Sequence, residues 1–159
     1  MNTPVNSAAL RQRLTTQLVA ETQHVREFVT VLEEERRILT QRDVEPLFAL
    51  SEKKAHYARL LQQSAHARSV LLTQAGLTND RAGVEALLGS PETPVWQTYL
   101  TVVASARQLN EDNGRLLTDR LASNHQALAI LMAHSDQPTV YGRDGSARTR
   151  PGSRLLGSY

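Results

Sequence analysis

The amino-terminal part of the chain carries an apolar side chain at every seventh position, beside a second series with the same period. This pattern predicts one long amphipathic helix over about residues 6–41, with the apolar stripe of a coiled coil. The stripe consists of Leu14, Leu18, Val25, Phe28, Leu32 and Leu39. Two acidic residues, Glu21 and Glu35, occupy alternate positions of the second series, so the stripe is not wholly apolar.

A second long helix is predicted from about Val44 to Ala75. Asp43 is suited to cap its start, Pro46 is tolerated in a first turn, and Gly76 is suited to end a helix. The predicted apolar face contains Leu47, Leu50, Tyr57, Leu61 and Leu72.

The connector over residues 77–91 is predicted to hold a short helix at about residues 80–88. Thr78 or Asn79 is expected to cap this helix, and Gly89 is expected to stop it.

The clearest pattern runs from about Glu92 to His134, where spacings of four and three alternate without a break. Such a seam predicts a long helix packed nearly antiparallel to its neighbours. The seam contains Trp96, Leu100, Val103, Arg107, Asn110, Gly114, Leu117, Leu121, Asn124, Leu128 and Leu131. Three long helices with short connections predict an all-α fold, an elongated up-down-up antiparallel bundle with coiled-coil-like packing.

The helical pattern stops at Ser135, and Gly, Pro and Arg punctuate the residues that follow. Such a segment buries too little apolar surface to offset the entropy lost on ordering. We therefore expect a helical bundle domain over residues 1–134 and a flexible, Arg-bearing C-terminal tail over residues 135–159.

Charge is distributed unevenly along the chain. The formal net charge is +2, yet residues 138–159 hold four Arg and one Asp, which leaves a net charge of −1 on the rest. The body is therefore not the basic surface that nucleic acid requires, and the few tail arginines make RNA or acidic lipid a lesser alternative. The apolar runs are shorter than the roughly 20 residues that span a bilayer. We expect a cytoplasmic protein that binds no nucleic acid and does not insert into a membrane.

Few residues are arranged for catalysis or metal binding. Glu21 and His24 form one Glu-x-x-His pair, but a di-iron bundle needs two, and Glu52 and His56 stand four positions apart. The sequence contains no Cys, no glycine-rich phosphate loop and no Gly-x-Ser-x-Gly elbow. We therefore predict a protein that is not an enzyme and that uses no cofactor and no metal.

Several stretches form a more specific pattern. They are Leu32-Glu-Glu-Glu-Arg36, Arg42-Asp43 and Glu52-Lys-Lys54 near the start, Asn110-Glu-Asp-Asn113-Gly114, Leu116-Leu117-Thr-Asp-Arg120-Leu121 and Asn124 to Leu131 on the last helix, and Pro138 to Gly145 after it. Over about residues 10–145 the chain resembles the FlgN family of flagellar export chaperones.

The resemblance implies a chaperone that binds the C-terminal helical segments of hook-associated junction proteins. It implies that the chaperone prevents their premature assembly and delivers them to the flagellar export gate, which Tyr141 is expected to contact. The expected client-binding residues are Asn110, Asn113, Gly114, Leu117, Leu121, Asn124, Leu128 and Leu131.

Other interpretations of the same residues stay open. Asn110, Gly114 and Asn124 also suit a structural role, because a seam Asn sets register and Gly allows close helix approach. The leucines also suit a bundle core, and Tyr141 also suits a position folded back onto the bundle. The chain as a whole also fits a structural coiled-coil scaffold, a weak homo-oligomer, or a chaperone of a different secretion client.

Overall fold

In a computed structural model of the chain, the described residues are 4–41, 45–135, 140–141 and 147–148. The helices are α1 (Pro4–Thr40), α2 (Leu47–Gln74), α3 (Arg81–Leu88) and α4 (Pro94–Ser135). Two short antiparallel strands follow, β1 (Val140–Tyr141) and β2 (Ala147–Arg148). The three long helices and the short connector helix confirm the predicted all-α fold.

The chain divides into two compact units, which we call unit 1 (Met1–Leu117) and unit 2 (Thr118–Tyr159). Unit 1 contains α1, α2, α3 and the first part of α4. The predicted division after residue 134 stays a prediction, because most residues that follow it lie outside the described ranges.

An apolar core follows the inner face of α1 in unit 1 and confirms the predicted stripe. Leu14, Leu18 and Leu32 are fully buried, and Val25 is nearly so. The other helices add Leu71 and Leu72 from α2, Val84, Leu87 and Leu88 from α3, and Trp96, Tyr99 and Ala106 from α4. Burial of one large apolar side chain contributes about 1.5–3 kcal/mol, so this core is the main source of stability.

Glu21 lies inside this core although it is acidic, with only 3% of its surface exposed. Arg68 Nη1, from α2, donates hydrogen bonds to both carboxylate oxygens. The hydroxyl of Tyr99, from α4, donates to Oε1 at 2.7 Å and accepts from Arg68 at 2.9 Å. We call these three residues the Glu21 layer.

The Glu21 layer alters the acidity of Tyr99 and Arg68. Burial and the hydrogen bond to Glu21 raise the pKa of Tyr99 to about 12. Burial opposes the charge on Arg68, but the hydrogen bond and the charge of Glu21 outweigh it, so the pKa of the guanidinium is raised.

A second polar layer, the Glu35 layer, contains Glu35, Lys54 and Asn113. Lys54 Nζ donates to the two oxygens of Glu35 at 3.0 and 3.1 Å. Asn113 Nδ2 donates to Glu35 Oε2 at 2.9 Å and to the carbonyl oxygen of Leu32 at 2.7 Å. The layer therefore also joins three helices.

The two layers are two heptads apart on each of the three long helices. Their order along α4 is the same as along α1, and their order along α2 is reversed. In unit 1, α2 is therefore antiparallel to α1 and α4 is parallel to it, which confirms the predicted up-down-up order.

In unit 1, the residues of α4 that are buried precede the predicted seam residues by one position at several places. Tyr99, Ala106 and Asn113 are buried, whereas the predicted seam residues Arg107 and Gly114 are exposed. The prediction was wrong there because it favoured an unbroken run of spacings. The hydrogen bonds of the tyrosine to the buried Glu21 and of the asparagine to the half-buried Glu35 draw the neighbouring line inward instead.

Asp80 caps α3, so the predicted cap at Thr78 or Asn79 was wrong. The Asp80 side chain accepts from the Gly83 N–H at 2.8 Å and from the Thr78 hydroxyl at 2.9 Å. The hydrogen bond from the Gly83 backbone contributes most to lowering the pKa of Asp80, and the one from Thr78 contributes next. The helix ends as predicted at Gly89, whose φ of 87° is left-handed.

The start of α2 was predicted too early. Pro46 is the residue before the helix and gives it no side-chain cap, and the expected cap Asp43 lies outside the described residues. The predicted end is confirmed, because Gly76 follows the last turn with a φ of 72°.

Arg68→Met tests the Glu21 layer, because it leaves the buried carboxylate without its cation. We expect the free energy of unfolding, measured by urea denaturation, to fall by about 3 kcal/mol. The double variant Glu21→Leu/Arg68→Met removes both charges and should recover part of that loss.

Arg59→Met is the matched control, because Arg59 is an exposed residue of the same helix. Its effect should stay below about 0.5 kcal/mol. An Arg68→Met protein as stable as this control would show that the Glu21 layer does not hold the helices together.

Candidate functional site

The part of α4 within unit 2 exposes all the side chains described from Leu121 to Ala133. The large apolar residues among them are Leu121, Leu128, Ile130, Leu131 and Met132. The segment is rich in Ala and Leu, and no Gly or Pro interrupts residues 115–137. High helix propensity explains why it is helical although little of it is buried.

Four predicted client-binding residues lie on one face of this segment, and we call them the leucine face. Leu121, Asn124, Leu128 and Leu131 follow spacings of three, four and three, which keep to one side of a helix. The exposed fractions of the three leucines are 52%, 54% and 67%, and Asn124 is also exposed. An apolar helix face in water is suited to pack against another helix.

The other predicted client-binding residues lie in unit 1 and differ in exposure. Asn110 and Gly114 are exposed, and Leu117 is 41% exposed. Asn113 is only 1% exposed and belongs to the Glu35 layer, so the structure brings it into the bundle and not to an outer surface. The sequence pattern could not separate these cases, because all four positions lie within two turns of one helix.

Gly114 does not serve close packing within the described residues. A Cβ atom placed on Gly114 would meet no atom within 4 Å. The structural interpretation of this glycine, close approach of two helices, therefore does not hold. Gly83 is the opposite case, because a Cβ atom there would clash with the carbonyl oxygen of Thr78.

A groove of about 290 Å³ in unit 1 opens beside the Glu21 layer. Its apolar lining includes Val25, Phe28, Leu61 and Val103, and the exposed side chain of Arg107 also lines it. The groove is formed by residues of three helices, so no local sequence pattern indicates it.

The Glu-x-x-His pair has protein partners in the structure. Glu21 is bound in the Glu21 layer, and His24 Nδ1 lies 3.3 Å from the hydroxyl of Ser64. Among the described residues, no group of three His, Asp or Glu side chains is placed to hold a metal ion. Within the same ranges, no helix has both the length and the apolar character needed to cross a membrane.

Tyr141 lies in β1, where its backbone pairs with Ala147 of β2. Its side chain falls outside the described residues, so its contact with the export gate stays a prediction.

Comparison with known proteins establishes the family. The family model described as FlgN protein matches residues 1–149. The chain belongs to the FlgN family. This membership confirms the resemblance carried by the last helix and the stretches around it.

Curated members of the FlgN family similar to this chain carry the name Flagella synthesis protein FlgN. The protein of Yersinia enterocolitica is 28% identical over 148 residues, which are 92% of this chain and 95% of that protein. The protein of Escherichia coli (strain K12) is 39% identical over 54 residues, 34% of this chain and 38% of that protein. The protein of Salmonella typhimurium is 39% identical over 62 residues, 38% of this chain and 44% of that protein.

The match thus spans about two fifths of the Escherichia coli and Salmonella typhimurium FlgN proteins. No solved structure matches the chain.

Sequence reasoning missed some residues that the FlgN fold of this chain depends on. Arg68 and Tyr99 were assigned no role, although each stands two heptads from a member of the other polar layer. That spacing is the signal that could have identified them. Sequence patterns also did not indicate that Phe48, in the first turn of α2, is an apolar residue on the surface, where 78% of it is exposed.

Gly114→Ala is expected to stabilise this FlgN chain. The added methyl group meets open space, and Ala is favoured over Gly within a helix by about 1 kcal/mol. The free energy of unfolding in urea should therefore rise by about that amount. Gly83→Ala is the matched control and should lower it, so a loss of stability in both variants would contradict the open surroundings of Gly114.

Proposed function

We propose that this chain is a cytoplasmic flagellar export chaperone. It binds the C-terminal helical segments of hook-associated junction proteins, prevents their premature assembly and delivers them to the export gate. Its role is binding and release, without catalysis. The observation that carries the proposal is the exposed leucine face of α4, in a chain of the FlgN family.

The physical argument rests on surface that the folded chain leaves in water. Leu121, Leu128 and Leu131 are each more than half exposed. Full burial of an exposed leucine contributes about 1.5–3 kcal/mol, so covering the exposed half to two thirds of each of these side chains contributes about 1–2 kcal/mol. Part of this gain is offset by the loss of translational and side-chain freedom on association.

Moderate affinity for the client suits the task of an export chaperone. Micromolar affinity corresponds to about −8 kcal/mol, so the three leucines supply only part of the binding free energy, and further contacts along the client helix supply the rest. Tighter binding would slow release of the client at the gate, because affinity is set mostly by the dissociation rate. An amphipathic client helix also gains protection, because its own apolar face otherwise drives association with other copies.

The first experiment measures complex formation by size-exclusion chromatography with light scattering. The chain is run alone and with the C-terminal segment of a hook-associated protein from the same bacterium. A stoichiometric heterocomplex supports the chaperone proposal. A stable homo-oligomer that ignores the segment would favour a structural scaffold, and binding restricted to another exported protein would favour a chaperone of a different client.

Leu128→Ala is expected to weaken binding of this segment by about tenfold while helix content stays unchanged. The variant removes contact area from a residue that is 54% exposed, and a central interface leucine is worth on the order of 1–2 kcal/mol. Affinity is measured by isothermal titration calorimetry and helix content by circular dichroism.

Gln126→Ala is the matched control for Leu128→Ala, because residues two positions apart on a helix point to nearly opposite sides. It should leave both affinity and helix content unchanged. Loss of thermal stability together with binding in Leu128→Ala would instead assign Leu128 to the core.

The groove beside the Glu21 layer is the second candidate surface for a client helix, because its lining is largely apolar. Val103→Glu places a charge in that groove. Loss of segment binding in this variant, with unchanged helix content and with full binding by Leu128→Ala, would move the client site from α4 of unit 2 to the groove of unit 1.

Tyr141→Ala tests the proposed contact with the export gate. An aromatic side chain flanked by glycine-containing sequence is suited to anchor in a partner's pocket. We expect the variant to bind the client segment normally but to lower secretion of hook-associated proteins into the medium. Tyr159→Ala is the control, and unimpaired secretion by Tyr141→Ala would refute the contact.

A further inference from the structure

Asn124 interrupts the leucine face, and the proposed function does not explain it. It is exposed and stands between Leu121 and Leu128 on the same side of α4. Among the described residues its side-chain amide forms no hydrogen bond, so water is its natural partner in the free protein. A client helix that covers the leucine face also covers this amide.

The same helix shows how an asparagine is accommodated between packed helices. Asn113, within unit 1, is only 1% exposed, and its Nδ2 donates to Glu35 and to the carbonyl oxygen of Leu32. The N–H groups of its buried amide are therefore matched by polar atoms of the opposing helix, whereas its Oδ1 is buried without a hydrogen-bond partner among the described residues. Asn124 has the same chemistry, but its matching group is not supplied by the described part of the chain.

We propose that Asn124 selects the client by its chemistry. The preferred client helix carries a polar side chain, an amide or a hydroxyl, at the position that faces Asn124, between apolar residues that face the leucines. This inference rests on the proposed function, since it concerns the same face of α4.

The physical reason is the cost of burying an amide without a partner. The Asn124 amide offers two N–H donors and one acceptor oxygen. A client helix with leucine at the facing position would remove water from these groups without forming hydrogen bonds to them. A neutral polar group left unpaired costs about tenfold or more in affinity. A single polar residue in an otherwise apolar seam fixes register and partner in coiled coils for the same reason.

The test uses synthetic peptides of the hook-associated C-terminal segment. In each peptide one polar residue of the apolar face is replaced by leucine, and affinities for wild type and for Asn124→Leu are measured by calorimetry. One replacement is expected to weaken binding to wild type by about tenfold. The same replacement should strengthen binding to the Asn124→Leu variant, because the leucine of the peptide then packs against the leucine introduced at position 124.

Gln126→Leu is the matched control, since it makes the same chemical change outside the leucine face. Its peptide preferences should equal those of wild type. The inference is overturned if Asn124→Leu and wild type respond to every peptide in the same way while both still bind the native segment. That outcome leaves the proposed function intact.

Two other outcomes have different meanings. Wild type that binds no segment at all refutes the proposed function and this inference together. A change in oligomer mass in Asn124→Leu without any peptide, with peptide preferences unchanged, would show that Asn124 faces a second copy of the chain, and it would also overturn the inference.

Discussion

The buried carboxylate of Glu21 is the interaction on which the bundle in unit 1 depends. A charge with 3% exposure is unstable unless it is paired and hydrogen-bonded, and the partners come from two other helices. Arg68 supplies the opposite charge, and Tyr99 supplies a hydroxyl that bridges the two. A shift of either helix along α1 would break this set of contacts. The layer therefore restricts the helices to one alignment more strictly than leucine contacts do, because apolar packing is non-directional.

The Glu35 layer repeats the arrangement two heptads further on and makes the alignment more specific. Lys54 takes the place of the arginine, and Asn113 takes the place of the tyrosine. The two polar layers have the same spacing on all three helices. If α2 or α4 shifted by one heptad along α1, at least one carboxylate would face an apolar residue. We interpret the layers as a device for register, which is the best-attested use of buried polar groups in helical seams.

This alignment also bears on function. Because tyrosine and asparagine are drawn inward on α4 of unit 1, the adjacent line with Arg107 and Gly114 is exposed there. The leucines that continue the same heptad line in unit 2 are exposed as well. They remain helical because alanine and leucine favour the helix without tertiary support. The proposed chaperone function needs this combination, an apolar face that is helical before a client binds, since preorganisation lowers the entropy lost on binding.

The sequence by itself determined the elements and the family. Heptad spacing located the three long helices, glycines located the ends of α2 and α3, and the stretch from Asn110 to Leu131 indicated the FlgN family. These features are local, so periodicity and turn chemistry are enough to predict them. Only the tertiary structure decided which residues of α4 turn inward. Tyr99 and Asn113 are buried because Glu21 and Glu35 lie opposite them, and spacing along one helix does not show which residues about eighty positions away face it.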